Sequence, residues 1–600
     1  MFDSAFCLLA QGNVITTWLT PIWLLSLGVA VGFVLALLFL AKIHLFSKVS
    51  FFAKIAENRL ARILLGTVIA AAMVGIYVAF YFWAYGSNQD LDFAISKFDY
   101  YQLALPLSFV VPIALLIGIG CWTLFSKRGA DEAFALVREG FLSWATVICI
   151  SMTCFATLGV VLGAFNGFGF VKIADDVPGM INSIQRYPIS GVYGTSVTIP
   201  PTADTEGGTR VPVELRGEEV TLIRVASDQK IEIAAQPLGS HLSGNMIFGA
   251  PATSIDEPVG QFRRPGQQSW IPDGDVTSFY IANRGKRDAS VNLQWRLDPI
   301  YRQVWLVLYS AFCVFMLYVL YLVLAVNCPK VAAISLSTFK TEVSQPLFWL
   351  ILAIGFVFVI GSVYVPYNTF GEDIKMYKDS GLTLIRVLAI FMAIWAASKS
   401  VAEEIEGRTA LTVLSKPVGR RQFILGKFSG ISLAIGVLFI LLGLTFITFV
   451  AYKPIYDAVE TAKDAVEWQQ CFMESIQIIP AIVLSFLEVV IFVAISVAIS
   501  TRLGILPNFL VCFAIYVLGH LTPLIVQSTD VVQAFQPVVV FGNVVAVVFP
   551  VLNHFDVQVA INTNNPVPME YLGWSTIYCF LYGGIALLLA LVLFEDRDLA

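Results

Sequence analysis

Long apolar runs, each about the length needed to cross a bilayer as a helix, recur along this chain and are broken by short polar connections. A window of about 19 residues predicts helices near 18–41, 63–85, 102–124, 142–165, 302–326, 347–367, 382–400, 428–451, 478–500, 505–527 and 572–594, eleven spans in all. Residues 172–300 depart from this pattern. In SVNLQWRL, Val291, Leu293, Trp295 and Leu297 fall on one side and Asn292, Gln294 and Arg296 on the other; Ile231 and Ile233 alternate likewise in KIEIAAQ. Such alternation predicts strands. Val276 to Ala282 and Ser290 to Leu297 flank Asn-Arg-Gly-Lys-Arg-Asp, which predicts a hairpin, and some seven such runs predict a small β-sandwich.

Two shorter patterns complete the outline. Ala332, Leu336, Phe339 and Val343 recur at helical spacing with Lys340 and Glu342 on the other side, which predicts an amphipathic interfacial helix over 331–345. The apolar stretch Gln536 to His554 is broken by Pro537, Gly542 and Pro550 and is read as re-entrant.

The connections set the direction of the spans. Alternate loops hold eighteen Lys and Arg residues, whereas the other short loops hold five: Lys97, Lys375, Lys378, Lys453 and Lys463. The richer set is expected in the cytoplasm, with the N-terminus outside and the C-terminus inside. The β region then lies outside, between the fourth and fifth spans. Four regions follow: residues 1–171 with four spans, 172–300 as an extracytoplasmic β domain, 301–330 as a fifth span, and 331–600 as a six-span unit opened by the interfacial helix.

Composition agrees. With 600 residues, 58% of them hydrophobic and only 13% charged, this is a polytopic membrane protein rather than a soluble one. The net charge of −5 is unevenly placed and gives no reason to expect a nucleic-acid partner. Nine cysteines are scattered without a CxxC pair and none falls in 172–300, so neither a disulfide framework nor a zinc site is expected. No basic residue precedes Lys42, so the first helix is expected to stay in place rather than be cleaved as a signal peptide.

One passage of the C-terminal half is dense in charge: SVAEEIEGRTALTVLSKPVGRRQFILGK, Ser400 to Lys427. Glu403, Glu404 and Glu406 fall at the exit end of a helix, where the macrodipole disfavours acids, so helix stability does not account for them. Gly407 suits a helix stop, Pro417 prevents the helix from resuming, and Leu411, Val413 and Leu414 form an apolar patch between them. Arg408, Lys416, Arg420, Arg421 and Lys427 supply the basic flank. The combination reads as a rigid cytoplasmic elbow shaped for a partner.

Here the chain resembles the membrane subunits of type-2 ABC exporters, whose loop between the second and third helices carries an acidic cluster, Gly and Thr, Leu-Leu-x-Lys/Thr-Pro-x-x-Arg and Gly-Lys. Glu403, Glu404, Gly407, Thr409, Leu414, Lys416, Pro417, Arg420, Gly426 and Lys427 match that order; Arg408, between Gly407 and Thr409, departs from it. The resemblance covers about Ser335 to the C-terminus. It implies an interfacial elbow helix, a re-entrant connection before the last helix, pairing with a like or related permease, and docking of a cytoplasmic ATPase subunit that uses ATP and Mg. It also implies a bacterial cytoplasmic (inner) membrane setting, with lipid as the surroundings. No GxxxxGK[ST] phosphate loop occurs, since Gly426-Lys427 is followed by Phe428, so the chain is expected to be no enzyme and to bind no cofactor itself.

Some relatives of such permeases serve the maturation of copper enzymes. The ligands for a blue-copper site are missing here: residues 172–300 offer His241, Met180 and Met246 but no Cys, and no metal is expected. Within the spans, Glu488 in IVLSFLEVVIFV is a functional candidate, either lining a path or binding a coupling proton, or else bonded to a neighbouring helix. Arg386, near a helix end, is expected to snorkel. Two other readings stay open: an ion-coupled secondary transporter using Glu488, and a non-transporting scaffold whose outer domain binds a partner. An adjacent ATPase gene would favour either ATPase-linked reading.

Overall fold

The structure, a computed structural model, describes residues 12–86, scattered positions between 107 and 132, 141–164, 179–182, 191–201, 208–235, 246–248, 271–297 apart from 272–273, 301–365, 367, 372–406, 418–461, 466–531, 549–562 and 567–595. Before the strands come α1 (Gly12–Ser47), α2 (Ser50–Glu57), α3 (Arg59–Gly86) and α4 (Phe141–Ala164). After them come α5 (Trp305–Asn327), α6 (Pro329–Ser344), α7 (Pro346–Ser362), α8 (Asp373–Ala397), α9 (Arg420–Glu460), α10 (Trp468–Gln477), α11 (Ile479–Ser500), α12 (Ile505–Val531), α13 (Gln558–Asn562) and α14 (Met569–Glu595). Two compact units result, one of Met1–Arg62, Gly120–Val171 and Leu306–Ala600, the other of Ile63–Ile119 and Lys172–Trp305.

Among the described residues, eight helices are long and apolar enough to cross a membrane. They correspond to eight of the eleven runs picked out by hydropathy. A ninth run is the bent pair α6 and α7, which meet at 62°, and a tenth is the shorter apolar part of α12, Ile505–Leu521. The run at 102–124 lies largely outside the described residues. The α6/α7 bend has a local cause: Pro346 opens α7 and its ring excludes a helical Gln345, whose ψ is 138°.

Several helices run further than hydropathy allows. Lys378 and Lys453, read from sequence as loop residues, lie within α8 and α9. Each is buried with a partner: Lys378 Nζ pairs with Glu474, and Lys453 Nζ lies 2.9 Å from Asp457 Oδ1 and donates to the Val363 carbonyl at 3.1 Å. A lysine that finds an acid inside the bundle does not have to end a helix, and hydropathy counts only its cost.

Close helix crossings in the first unit use small residues. Gly28 and Gly32 of α1 lie against Val307, Ser310 and Ala311 of α5, and a Cβ on Gly32 would come within 2.4 Å of the Ala311 carbonyl oxygen. This is the small-xxx-small packing of membrane helices. Polar clips add to it: Trp23 Nε1 donates to the Ala156 carbonyl of α4 at 3.1 Å, and Trp18 Nε1 to the Thr448 carbonyl of α9 at 2.7 Å.

In the second unit, β1 (Gly191–Ile199), β2 (Thr209–Arg216), β3 (Val220–Ser227), β4 (Ile231–Ala234), β5 (Met246–Phe248), β6 (Asp275–Asn283) and β7 (Ala289–Leu297) form two antiparallel sheets. Their orders are β1-β7-β3 and β2-β6-β4-β5. The expected alternation is present, with Val291, Leu293, Trp295 and Leu297 buried and Ser290 and Arg296 exposed. The expected hairpin is not: β6 and β7 belong to different sheets, and residues 284–288 cross between them. Both strands have one apolar face, and these faces meet across a shared core, where the Phe279 and Trp295 rings lie 6.4 Å apart. Alternation fixes which face is buried but leaves the pairing partner open. Asn283 holds the crossing by donating to the Ile199 and Arg287 carbonyls at 3.0 and 2.6 Å.

Candidate functional site

The acidic end of α8 is built on an irregular turn. The helix widens into a π segment, Ser398–Glu403, before a last helical piece, Glu404–Glu406. One extra residue per turn loosens a helix, and such bulges gather at functional sites. Here Ser398, Val401 and Ala402 are buried, and the segment is tied to two other helices through Asn508 of α12. Asn508 Nδ2 lies 2.8 Å from Ser398 Oγ, 2.7 Å from Ser496 Oγ and 2.9 Å from Ser500 Oγ, while its Oδ1 accepts from Cys512 Sγ at 3.3 Å. Sequence reasoning passed over this clamp. Its signal was an Asn in an apolar helix together with serines four apart on another, Ser496 and Ser500.

Across the connection, the charges divide into two kinds. Glu404 Oε1 pairs with Lys427 Nζ at 2.5 Å, and Lys427 also lies over the Phe423 ring. Arg420 donates to the Glu595 carbonyl at 2.7 Å and covers the Phe594 ring, which in turn stacks on Phe423. These two residues are engaged within the chain, whereas Glu403 and Arg421 point to solvent. Glu406 ends the helical piece; Gly407, Thr409, Leu414, Lys416 and Pro417 lie outside the described residues.

The interfacial helix expected over 331–345 is α6, and it is pressed against the start of α9. Gly426 and Gly430 make the approach possible: a Cβ on Gly426 would come within 2.6 Å of Ile334, and one on Gly430 within 2.6 Å of the Ser335 carbonyl oxygen. The pair is a GxxxG motif, present in GKFSG and unnoticed in the sequence. Phe339 and Val343 are buried and Lys340 exposed, as the amphipathic pattern predicts. Glu342 is a correction, because it is fully buried rather than on the polar face. Burial pushes its carboxyl up to about 8, and Lys427, Lys399 and the 2.9 Å hydrogen bond from Gln345 Nε2 offset only part of that cost.

The interior of the bundle holds a second cluster. Arg386 of α8 does not snorkel; it is 6% exposed, and its Nη1 donates to Glu488 Oε2 of α11 at 3.2 Å. Charge burial is costly, so each keeps the other in place of water. His520 of α12 sets its Nε2 3.9 Å from Glu488 Oε1 and its Nδ1 3.1 Å from the Tyr516 carbonyl. From the connection before α14, Gln558 donates to Thr383 Oγ1 at 3.1 Å, one turn from Arg386. Leu552 and Phe555 of that connection are buried, though residues 536–548 of the stretch read as re-entrant, Gln536 to His554, lie outside the described residues.

For a metal, the described residues bring together Asp373, Asp457 and Glu460, whose carboxylates lie within 4.8 Å of one another. Lys453 beside Asp457 already neutralises part of that charge. The donor set is a partly exposed acidic group and carries no further claim.

Residues 332–599 match the model of a family described as ABC-2 family transporter protein. No curated protein resembles the chain closely enough to count as a match. The matched stretch takes in nearly all of α6, the π segment, the GxxxG motif, the Arg386–Glu488 pair and the whole of α14. This part of an integral membrane protein is therefore similar to the ABC-2 type permeases, the membrane components of ABC transporters.

Proposed function

We propose that the chain is the membrane subunit of an ATP-driven exporter of the bacterial cytoplasmic membrane, coupled through residues 400–427 to a separate ATPase subunit. Two permeases, identical or related, form the path, and ATP and Mg are used by the partner. The observation that carries this reading is the coincidence of the matched family with an acidic helix end, π segment and basic helix start brought together at one end of the bundle. Buried links from that end to α6, α11, α12 and α14 support it, because a push on the connection would reach four other elements. The N-terminus and the β sheets are placed outside, on the strength of the loop charges.

A labelling experiment tests sidedness and docking together. Cysteine introduced at Asn88 is expected to react with an impermeant reagent applied from outside, and cysteine at Ser415 only in inverted vesicles. Adding the ATPase subunit is expected to protect the second position. Outside labelling at Ser415, or no protection by a bound ATPase, contradicts the proposal.

A further inference from the structure

We propose that Glu488 is a proton-binding site inside the permease, carrying the proton on Oε1, the oxygen that faces Nε2 of His520. Hydrogen-bond roles define the site. His520 Nδ1 faces the Tyr516 carbonyl, an acceptor, so Nδ1 carries the ring hydrogen and Nε2 presents a lone pair. Glu488 Oε1 also presents lone pairs. These two acceptors face each other at 3.9 Å, and neither has a hydrogen-bond partner among the described residues. Buried acceptors left opposed are unfavourable, and a donor between them removes the penalty. A proton is the donor that needs no cavity.

The surrounding charge is consistent with a neutral carboxyl. On α8, Arg386 donates to Oε2, a contact that an uncharged carboxyl still accepts. Asp556, exposed on the connection before α14, acts electrostatically on Arg386, Glu488 and His520, and Asp379 of α8 acts with it. Arg386 therefore keeps counter-charge when Glu488 is protonated. On α12 the other titratable neighbour among the described residues is Tyr516. From α14, Cys579 Sγ donates to the Leu487 carbonyl and so is already used. Against α9 the packing is aromatic, Phe439 on Phe486. Uptake forms one O–H bond with a proton from water and takes Glu488 from −1 to 0; separation of α11 from α12 would return that proton to water.

Infrared spectroscopy of the purified chain in heavy water, between about pH 5.5 and 8, reads this directly, since ordinary carboxyls are ionised throughout that range. A protonated-carboxyl C=O band that disappears as pH rises is expected in the difference between wild type and Glu488→Gln, which cancels the contribution of Glu342, a carboxyl that burial pushes up to about 8. In His520→Phe the band is expected to move to higher frequency, because the polar ring nitrogen facing Oε1 is replaced by apolar carbon; His520 is only partly buried, so that variant serves if Glu488→Gln does not fold. No such band in that difference overturns the proposal. So does a band unmoved in His520→Phe. None of these readouts depends on the ATPase.

Discussion

Replacing Glu488 with leucine is expected to cost about 3–5 kcal/mol of folding stability, because it strips the buried Arg386 guanidinium of its acceptor. Arg386 Nε already lacks a hydrogen-bond partner among the described residues, so the guanidinium keeps only the more distant charges of Asp556 and Asp379 and no acceptor in contact. The penalty belongs to the orphaned group rather than to the pair. Replacing both residues, Arg386→Met with Glu488→Leu, is therefore expected to recover most of the loss, since an apolar pair of similar volume is often neutral. Thermal unfolding in detergent checks this. Equal destabilisation by the single and double variants would show that the pair contributes more than its own neutralisation.

Reversing Glu404 to lysine is expected to destabilise the permease itself by about 2 kcal/mol, toward the low end of the range for a hydrogen-bonded charge pair. Lys427, with its side chain 8% exposed, would then face another ammonium, while Glu404, 33% exposed, allows water to blunt the clash. The exchange Glu404→Lys with Lys427→Glu is expected to recover part of the loss but not all, because Glu342 would meet a second buried acid. Detergent-solubilised melting temperatures of the two singles and the exchange decide it. If Glu404→Lys melts with the wild type, the ion pair contributes nothing to the stability of the permease.

How far the fold could be read from the chain depended on whether a signal was local. Apolar runs and the Val291–Leu297 alternation are local, and both appear in the structure. The spacing of Phe339, Lys340 and Val343 likewise gave the lie of α6. Partner choice is not local: the β6–β7 crossing, Arg386 with Glu488, and Lys378 with Glu474 join residues that no spacing rule connects. Glu342 shows the same limit, since an acid on a helix reads as polar face until lysines from other elements are brought against it. Gly426-xxx-Gly430 and Asn508 were legible but unused, because glycines and a single Asn in apolar helices carry meaning only once a neighbour is known. In the 400–427 stretch, sequence marked all the charges alike, and packing separates the engaged Glu404 and Arg420 from the exposed Glu403 and Arg421.

That separation gives the central claim its most direct measurement. Glu403→Lys combined with Arg421→Glu changes two solvent-facing charges and leaves the Glu404–Lys427 and Arg420–Glu595 contacts in place. The variant and the wild type are co-expressed with the ATPase subunit, and ATP turnover of each purified complex is measured in lipid vesicles. The account predicts a folded, inserted variant that loses co-purification or substrate-dependent turnover by at least about tenfold, which corresponds to roughly 1.4 kcal/mol of lost coupling. Unchanged assembly and unchanged turnover would contradict it and leave residues 400–427 as an ordinary basic loop.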